Sequence, residues 1–580
     1  MAEELWDRAE SLNMAGRVDE AVAMVRMHVK LRPKDLDAVN LLGSLLQQAG
    51  QIDQALHHHG RLVADHPTVV AFRHNLANTL VCGNRPAEAI PHWERLVRED
   101  PNFAMGWAML AAHYPRIGES LKAIDAAHRC LALQPEFPGV LGNLIFAMIN
   151  AGRMDTAMQL GQETLARRPG DHILRSVLLM NLNYLQRPAV EMFEMHRAFG
   201  RQFPPPTPAP HDHDPDRPLR IGILSAEFRD HSVGFFLDSI LKHREPNTQI
   251  IAFSNWKRSM QDATTRRMKG LVNGWFDVGE MPDASLDALI REQRIDVLLE
   301  LSGHTGDNRL VALSAKPAPV IVTAIGYPNT TGLPAVDWRL VDTITDPPGS
   351  EALCTERLLR LDPCFLCYSP PEHAPSPVMP PDDAPITFGS FNSTLKIVPE
   401  TTALWSRVMQ AVPDARLLLK STSMRDAAAR ERLLHDLAAA GIDGSRVELI
   451  AYAANRDDHL RLYNRVHVAL DTVPYNGTTT TCEALWMGVP VLTTLGDRHA
   501  ARVSASLLTA LGHPEWIATS PDMFVETARA LTADRARLAD LRGSLRAAMQ
   551  ASPLCDSASY AKRLHAALRA CWRDHCAAHA

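Results

Sequence analysis

The sequence predicts an α-helical repeat solenoid followed by two doubly wound, parallel α/β domains. Glycine, alanine and proline recur at one fixed interval in the first third of the chain. In the last two thirds, short β-branched runs alternate with amphipathic stretches. At roughly 150 residues per domain, 580 residues are enough for several domains. The predicted segments are a solenoid over 1–200, a linker over 201–218, a first α/β domain over 219–382 and a second over 383–580.

Composition excludes several classes of protein. Hydrophobic residues make up 46% of the chain and charged residues 22%, as in ordinary globular proteins. The net charge of -6 argues against a non-specific nucleic-acid binder, and no apolar run approaches the ~18 residues that span a membrane. The first residues lack a basic segment followed by an apolar one, and nine scattered cysteines are too few for a disulfide scaffold. We therefore expect a cytoplasmic protein that binds neither nucleic acid nor membrane.

The first third of the chain has a period of 34 residues. Proline recurs at Pro33, Pro67, Pro101, Pro135 and Pro169, alanine at Ala21, Ala55, Ala89, Ala123 and Ala157, and glycine at Gly16, Gly50, Gly118 and Gly152. The remaining glycine of the series, Gly83, comes one residue early. Glycine permits the turn after a first helix, alanine lets two helices approach, and proline ends the second helix. This pattern resembles the tetratricopeptide repeat, with five repeats to about 169 and a helical continuation to about 200.

A solenoid of this kind presents a concave surface that binds an extended polypeptide, so we expect protein or peptide partners. The alternative is a scaffold for self-association, which would make the protein a homo-oligomer. Two histidine clusters are candidate metal ligands. His57-His58-His59 lies inside a predicted helix, where neighbouring side chains point about 100° apart, so we expect a solvated helix face. His211 and His213 lie in the proline-rich linker and make only a weak metal site.

The last two thirds read as alternating strands and helices. The first series of strands is predicted at Leu219–Leu224, Gln249–Phe253, Ile295–Leu301 and Val320–Ile325, and the second at Ile386–Phe388, Ala415–Lys420, Val447–Leu449, Val468–Leu470 and Val489–Thr493. Parallel sheets bind ligands beyond the carboxyl ends of their strands. Neither the dinucleotide fingerprint nor the P-loop motif occurs at a strand end, which weakens dehydrogenase and P-loop interpretations.

The segment 471–490 carries the strongest ligand signal. Thr478, Thr479 and Thr480 follow Gly477 at the start of a predicted helix, where backbone amides, hydroxyls and the positive helix end favour a phosphate. Glu483 lies about one turn further, where a carboxylate can accept both hydroxyls of a ribose. The alternative is an ordinary capped helix whose hydroxyls bond its own backbone.

This segment resembles the nucleotide-sugar site of the O-linked N-acetylglucosamine transferase/SPINDLY family of protein glycosyltransferases. Further similarity lies at 221–233, 300–306 with its Gly-His-Thr loop, 326–337 with Tyr-Pro-Asn-Thr-Thr-Gly-Leu-Pro, 364–368, 388–399 and 496–508. The resemblance implies tetratricopeptide repeats joined to a GT-B pair of α/β domains. It also implies inverting transfer of a sugar to Ser/Thr hydroxyls of proteins, with a nucleotide-sugar donor, no cofactor and no metal.

The resemblance assigns roles to residues of this chain. Lys396 would neutralise the departing diphosphate, Thr478, Thr479 and Thr480 would hold the phosphates, Glu483 would bind the ribose and Ser393 would contact the nucleotide. His231 and His304 would lie in the interdomain cleft near the acceptor as catalytic candidates, and His499 would cover the base or phosphate. The sequence does not decide which group takes the acceptor proton, because a phosphate oxygen or a water relay could also do so.

Departures from the family pattern leave the donor open. Thr478 replaces a histidine and Glu483 an aspartate of the animal N-acetylglucosamine transferases, and both resemble the SPINDLY branch. The donor is therefore UDP-N-acetylglucosamine or GDP-fucose. Two rival functions are transfer to a non-protein acceptor and an inactive interaction scaffold.

Two further segments have structural predictions. Cys364 and Cys367 match a family strand and are expected to be structural, because no second pair follows to complete a zinc site. Residues 557–576 form an amphipathic helix, which we assign to the second α/β domain and expect to pack back across the domains.

Overall fold

A computed structural model describes residues 2–14, 16–207 and 214–579. The chain divides into two compact units, Met1–Ala157 with Trp256–Asp262 and Met158–Asn255 with Ala263–Ala580. The first unit holds most of the repeats, and the second holds the last repeat helices together with both α/β domains. His211 and His213 lie outside the described residues.

Consecutive α-helices joined by short turns build the repeat region. Their bounds are α1 Ala2–Met14, α2 Val18–Leu31, α3 Leu36–Gln48, α4 Ile52–Asp65, α5 Val70–Cys82, α6 Pro86–Glu99, α7 Ala104–His113, α8 Ser120–Leu133, α9 Val140–Asn150, α10 Met154–Arg167, α11 His172–Leu182 and α12 Ala189–Gly200. Every periodic alanine is fully buried, because its small side chain lets neighbouring helices approach. The prolines follow the ends of the even-numbered helices α2 to α10, as predicted.

The turn inside each repeat uses a left-handed residue. Gly16, Gly50, Gly118 and Gly152 have φ between 72° and 81°. The remaining turn differs from the prediction, because Gly83 has φ -78° and Asn84 takes the left-handed position with φ 57°. Asparagine tolerates this region better than most residues. The 34-residue phase is therefore kept at every turn.

The run His57-His58-His59 does not form one solvated face. His57 is exposed, but His59 is fully buried, so the prediction is wrong for His59. Nδ1 of His59 lies 2.8 Å from Oγ1 of Thr79. Its ring occupies space left by Gly43, where a Cβ would lie 2.4 Å from Nε2. Within the described parts of the chain, no three His, Cys, Asp or Glu residues are grouped so that they could hold a metal ion.

The first α/β domain is built on one parallel sheet. Its strands are β1 Leu219–Ser225, β2 Thr248–Ser254, β3 Gly274–Asp277, β4 Val297–Glu300, β5 Val320–Thr323, β6 Trp338–Val341 and β7 Arg357–Arg360. Their order is β3-β2-β1-β4-β5-β6-β7, so the direction of winding reverses between β1 and β4. The four predicted strands are present; β3, β6 and β7 were not predicted. The two edge strands are short and only partly buried, and therefore lack a long apolar run.

The second α/β domain repeats this arrangement. Its strands are β8 Thr387–Ser390, β9 Arg416–Lys420, β10 Val447–Ile450, β11 Val468–Leu470, β12 Val491–Thr494 and β13 Ile517–Ala518. They lie in the order β10-β9-β8-β11-β12-β13, all parallel, with the reversal between β8 and β11. All five predicted strands are present.

Helices cover both sheets. In the first domain they are α13 Gly234–Leu241, α14 Ala263–Lys269, α15 Asp283–Glu292 and α16 Leu310–Leu313. The rest of the chain adds α17 Pro399–Ala411, α18 Ala427–Ala439, α19 Arg456–Arg461, α20 Thr479–Trp486, α21 Val503–Leu511, α22 Pro521–Ala533, α23 Arg535–Ala551 and α24 Ser557–His579. Of the helices in the described ranges, none combines the length and the apolar composition that a membrane span requires.

The last helix packs on the first α/β domain, which corrects its assignment to the second. α24 lies against α13 and β5. The hydroxyl of Tyr560 donates to the carbonyl oxygen of Phe365 at 2.8 Å, and Nε1 of Trp572 donates to the carbonyl oxygen of Asp214 at 3.1 Å. Both aromatic side chains are buried, so the apolar face of α24 belongs to the first domain, as expected for a helix that crosses back.

The segment 364–368 is buried, but it is not the predicted strand. Its backbone makes single bonds to different elements, because Tyr368 N donates to the carbonyl oxygen of Leu554 and Ser239 Oγ to that of Cys367. Cys364 and Cys367 are free, buried thiols. Burial raises the pKa of Cys367 to about 11 and that of Cys364 further, which makes both thiols unreactive and fits a structural role.

α12 contacts the first α/β domain backbone to backbone. A Cβ on Gly200 would lie 1.9 Å from the carbonyl oxygen of Gly332 and 2.7 Å from Cδ of Pro334. A Cβ on Gly332 would in turn lie 2.0 Å from the carbonyl oxygen of His196. Only glycine at both positions allows this approach.

We predict that Gly200→Ala destabilises the protein, because the added methyl must push α12 away from the 332 loop. Overpacking of this kind costs about 1–3 kcal/mol. Thermal unfolding should show a lower Tm than the wild type. Gly543→Ala is the matched control, since Gly543 is exposed on α23 with no atom near its added Cβ. Equal melting temperatures for Gly200→Ala and the wild type would contradict the close approach.

Candidate active site

The candidate site lies at the point where the second sheet reverses its winding. The loop 391–396 follows β8, and the loop 471–478 follows β11. Because β8 and β11 are parallel neighbours, both loops emerge at the same edge of the sheet. Doubly wound domains bind ligands at this position.

A buried carboxylate fixes the second loop. Asp471 directly follows β11 and accepts hydrogen bonds from the backbone N–H of Gly477 at 2.7 Å and the hydroxyl of Thr493 at 2.8 Å. Thr472 closes the loop by donating its hydroxyl to the carbonyl oxygen of Tyr475 at 2.6 Å. Burial raises the pKa of Asp471, and its hydrogen-bond donors oppose part of that shift. The loop is therefore held in one conformation before any ligand arrives.

The loop and the start of α20 form a small polar cradle. A Cβ on Gly477 would lie 2.6 Å from Oγ1 of Thr480 and 2.7 Å from Oγ1 of Thr481, so a side chain would fill it. Thr480 donates its hydroxyl to Oδ1 of Asn392 at 3.1 Å. Thr478 occupies the N-cap position without a side-chain capping bond, and the first turn carries no acidic residue. The helix start thus combines amides, hydroxyls and a positive dipole end, which favours an anion.

Lys396 lies beside this cradle. Its Nζ donates a hydrogen bond to the carbonyl oxygen of Asn476 at 2.6 Å and lies 3.8 Å from the ring centroid of Tyr475. Burial lowers the pKa of the ammonium to about 8, and the charge of Asp471 opposes part of the shift. A half-buried cation next to a helix N-terminus can neutralise charge that develops on a phosphate group.

Ser393 is exposed at the start of the short 3-10 helix Thr394–Lys396. Its hydroxyl accepts a hydrogen bond from the backbone N–H of Leu395 at 3.4 Å. Ser393 therefore caps the turn that carries Lys396. Its contact with a nucleotide stays a prediction.

Glu483 is paired with a histidine that the sequence analysis missed. Oε2 of Glu483 lies 2.9 Å from Nε2 of His459 on α19, and both side chains are mostly buried. The His459 ring lies 5.7 Å from the rings of Phe391 and Tyr463. Nδ1 of His459 is buried without a hydrogen-bond partner, which is costly unless a ligand supplies one. His459 follows β10 on the same sheet edge as the cradle, and that position could have identified it.

His231 lies after β1 at the switch point of the first sheet. Its Nδ1 is 2.9 Å from Oε2 of Glu227, and about a third of the His231 side chain is exposed. Burial would raise the pKa of Glu227, but its bond to His231 and the charge of Arg229 keep it below the usual value. Nδ1 also accepts a hydrogen bond from the backbone N–H of Val233 at 3.3 Å. The carboxylate and the amide therefore orient the ring through this nitrogen and leave Nε2 to exchange a proton.

Arg456 connects the His231 region with the second domain. Its guanidinium lies 3.6 Å from the ring centroid of Phe235 on α13, and Nη2 lies 3.4 Å from the hydroxyl of Tyr368. Arg456 begins α19, the helix that carries His459. The His231 loop and the Glu483–His459 pair are therefore attached to elements that meet between the two α/β domains.

His304 does not reach the cleft, so its prediction as a catalytic residue is wrong. Its Nε2 donates to the carbonyl oxygen of Thr331 at 2.8 Å, which leaves Nδ1 to accept from the Ser176 hydroxyl at 2.9 Å. Burial lowers the pKa of His304 to about 3. The loop does follow β4, but α11 and α12 cover it, and the ring packs against Phe199. Both nitrogens are used, and burial favours the neutral ring.

His499 also has a different place from the predicted one. Its Nδ1 lies 2.5 Å from Oδ2 of Asp346 in the first domain, and the ring packs on Phe365. Burial would raise the pKa of Asp346, but the charges of Arg339 and His499 hold it well below the usual value. The buried pair joins the two domains, so Nδ1 of His499 is not available to cover a base. The neighbouring Ala500 accepts a hydrogen bond from Asn476 N at 2.9 Å, so this segment supports the cradle loop.

The family comparison covers both α/β domains. The model of glycosyl transferase family 41 matches residues 204–368 and 377–564. These ranges include every predicted site residue and more than half of the chain. The chain belongs to this family.

Plant SPINDLY proteins are among the relatives of this family 41 chain. Those of Solanum lycopersicum and Arabidopsis thaliana are each 38% identical over 412 residues, 69% of this chain. Both are named as probable UDP-N-acetylglucosamine–peptide N-acetylglucosaminyltransferases. The matched region is 44% and 45% of their respective lengths, so the chain spans less than half of these relatives.

A solved structure of a mutant O-GlcNAc transferase from Thermobaculum terrenum is similar to nearly the whole molecule. It matches with a TM-score of 0.81 and 34% identity, over 88% of this chain and 98% of that chain. The match confirms the predicted fold class, a tetratricopeptide solenoid followed by a GT-B pair of parallel α/β domains.

We predict that Gly477→Ala blocks anion binding at the cradle while the fold survives. The added Cβ would fill the space between the Thr480 and Thr481 hydroxyls. A loss of about 1–3 kcal/mol of binding free energy, the size of a typical overpacking cost, lowers the affinity by roughly 5- to 160-fold. Calorimetric titration with UDP and GDP measures it. Gly444→Ala, at an exposed position in the same domain, is the control. Wild-type affinity in Gly477→Ala would contradict the site.

Proposed function

We propose that the protein is an inverting glycosyltransferase that moves a sugar from a nucleoside diphosphate to Ser or Thr hydroxyls of protein acceptors. The observation that carries this proposal is the polar cradle at the start of α20, whose first turn has no acidic residue, with the half-buried ammonium of Lys396 beside it. Family membership and the printed names of the relatives support it.

In this proposal the diphosphate binds at the N-terminus of α20. Amides and hydroxyls of Thr478, Thr479 and Thr480 hold the phosphate oxygens, and Lys396 supplies the positive charge. The nucleoside extends toward Glu483 and His459. One carboxylate oxygen of Glu483 is already bonded to His459, so the pair together would bind the ribose and the base.

The transfer is a direct displacement. The acceptor oxygen bonds to the anomeric carbon from the face opposite the diphosphate, and the carbon–oxygen bond to the phosphate breaks with its electron pair. The negative charge that appears on the diphosphate is stabilised by Lys396 and the helix start. Because this charge is larger in the transition state than in the bound donor, these groups accelerate the reaction.

The acceptor hydroxyl must lose its proton. His231, whose Nδ1 is held by Glu227, is the residue best placed among the predicted histidines, since His304 and His499 are buried in other contacts. A phosphate oxygen of the donor and a water relay are the alternatives. The solenoid would present the acceptor polypeptide through its concave surface.

We predict that the nucleotide of the donor sugar raises the melting temperature of the protein, so thermal unfolding identifies the donor. Thermal unfolding is measured with UDP, GDP, UDP-N-acetylglucosamine and GDP-fucose. A ligand at 100 times its Kd stabilises by about 2.7 kcal/mol, which raises Tm visibly. A shift with the uridine pair alone identifies an N-acetylglucosamine transferase, and a shift with the guanosine pair alone a fucosyltransferase. No shift with any of the four contradicts the proposal and favours a scaffold.

We predict that Lys396→Ala lowers the turnover of sugar transfer by about 10²–10³-fold, as for other single charge-stabilising contacts. Transfer of labelled sugar to proteins of a cell lysate is the assay. Lys562→Ala, at an exposed position on α24, is the matched control. Near-normal turnover by folded Lys396→Ala would show that Lys396 does not stabilise the departing diphosphate. If the label enters only lipids or glycans, the acceptor is not a protein, and the alternative function of transfer to a non-protein acceptor is favoured.

A further inference from the structure

Two stacked tyrosine rings lie beside Lys396. The ammonium is 3.8 Å from the ring centroid of Tyr475. The rings of Tyr475 and Tyr184 are stacked, with 5.4 Å between centroids and 23° between planes. Tyr184 belongs to the turn after α11, at the end of the repeat region. A residue of the repeats is thus one ring away from the candidate catalytic lysine.

The turn that carries Tyr184 is attached to both α/β domains. On one side, Asn183 donates from Nδ2 to the hydroxyl of Tyr327 at 3.2 Å. Asn329 donates to Oδ1 of Asn183 at 3.1 Å. On the other side, Nη1 of Arg498 lies 3.4 Å from the carbonyl oxygen of Leu185. Tyr184 itself is 9% exposed. Its ring therefore has a fixed position.

The backbone that carries the Tyr475 ring is fixed in the same way. The carbonyl oxygen of Tyr475 accepts the hydroxyl of Thr472, and the next residue, Asn476, is bonded through N to Ala500 and through Nδ2 to Thr472. The two rings of the stack are therefore carried by loops that are each held by several hydrogen bonds.

An aromatic ring face can hold the Lys396 ammonium without using its hydrogen-bond donors. An ammonium has three donor protons, and one goes to the carbonyl oxygen of Asn476. A ring face attracts the cation without taking a second proton as a hydrogen-bond acceptor. The remaining protons stay available for the diphosphate. A carboxylate here would instead neutralise the charge that the reaction needs.

We infer that Tyr475 and Tyr184 are positioning residues for Lys396, and that the last repeat turn thereby takes part in orienting the catalytic ammonium. This inference rests on the proposed function. The inference extends the proposed function, because it makes the end of the solenoid part of the structure that supports the active site.

The test distinguishes the cation–π contribution of the Tyr475 ring from its apolar volume. Leucine retains apolar volume beside Lys396 and excludes water, but it has no π-face, whereas phenylalanine retains the face and removes only the hydroxyl. Tyr475→Leu is expected to lower kcat about tenfold, with a smaller effect on KM for the acceptor. Tyr475→Phe should recover most of that loss. Tyr184→Leu should lower kcat in the same direction but less, and Tyr184→Phe should again recover it.

A pH profile gives a second readout. The ammonium is charged only below its pKa, so kcat declines as the pH rises through that value. Loss of the ring face removes stabilisation of the charged form while burial remains. The alkaline limb of Tyr475→Leu should therefore move to lower pH. Tyr452→Leu is the control, because Tyr452 stacks with Arg425 in the same domain but is exposed.

The pKa of Lys396 is also measured without any activity, by pH-dependent acylation of the full-length protein and mass spectrometry of the Lys396 peptide. A lower pKa in Tyr475→Leu, restored in Tyr475→Phe, supports the inference. An unchanged pKa together with wild-type kcat in folded Tyr475→Leu overturns it, even where Lys396→Ala is inactive. Turnover retained by Lys396→Ala overturns instead the role of Lys396 in the proposed function.

Discussion

The geometry of the candidate site depends on the buried carboxylate of Asp471. It binds the N–H of Gly477 and the hydroxyl of Thr493, and so ties the cradle loop to the neighbouring strand β12. The same negative charge offsets part of the cost of burying the Lys396 ammonium. One side chain therefore shapes the phosphate cradle and also favours the charged form of the adjacent lysine. A buried charge is tolerated here because its partners are close and well aligned.

Much of the fold could be predicted from the sequence because periodicity is strong where burial is complete. The 34-residue phase and most of the buried central strands follow from the sequence, while the partly buried edges β3 and β7 and the short buried strand β6 do not. The segment 364–368 shows the opposite error. It is as apolar and buried as a strand, but its backbone bonds to several elements rather than to one neighbour, which no local pattern reveals.

The candidate site was likewise predicted only in part from the sequence. The sequence predicts that loops after parallel neighbouring strands converge, which is why Lys396 and the Thr478–Thr480 run lie together. It does not show what covers a loop. His304 follows a strand end as predicted, but helices of the repeats enclose it, and His499 is taken by Asp346 from the other domain. Both errors come from contacts between residues more than 100 positions apart.

The turn at Asn183–Leu185 has a consequence for how chains of this kind change in length. Because this turn bonds to both α/β domains and stacks on Tyr475, the C-terminal end of the solenoid is constrained by the chemistry of the site. Repeats can be gained or lost without disturbing those contacts only upstream of α11. The number of repeats is then free to vary at one end only, and the turn that stacks on the cradle loop stays in place.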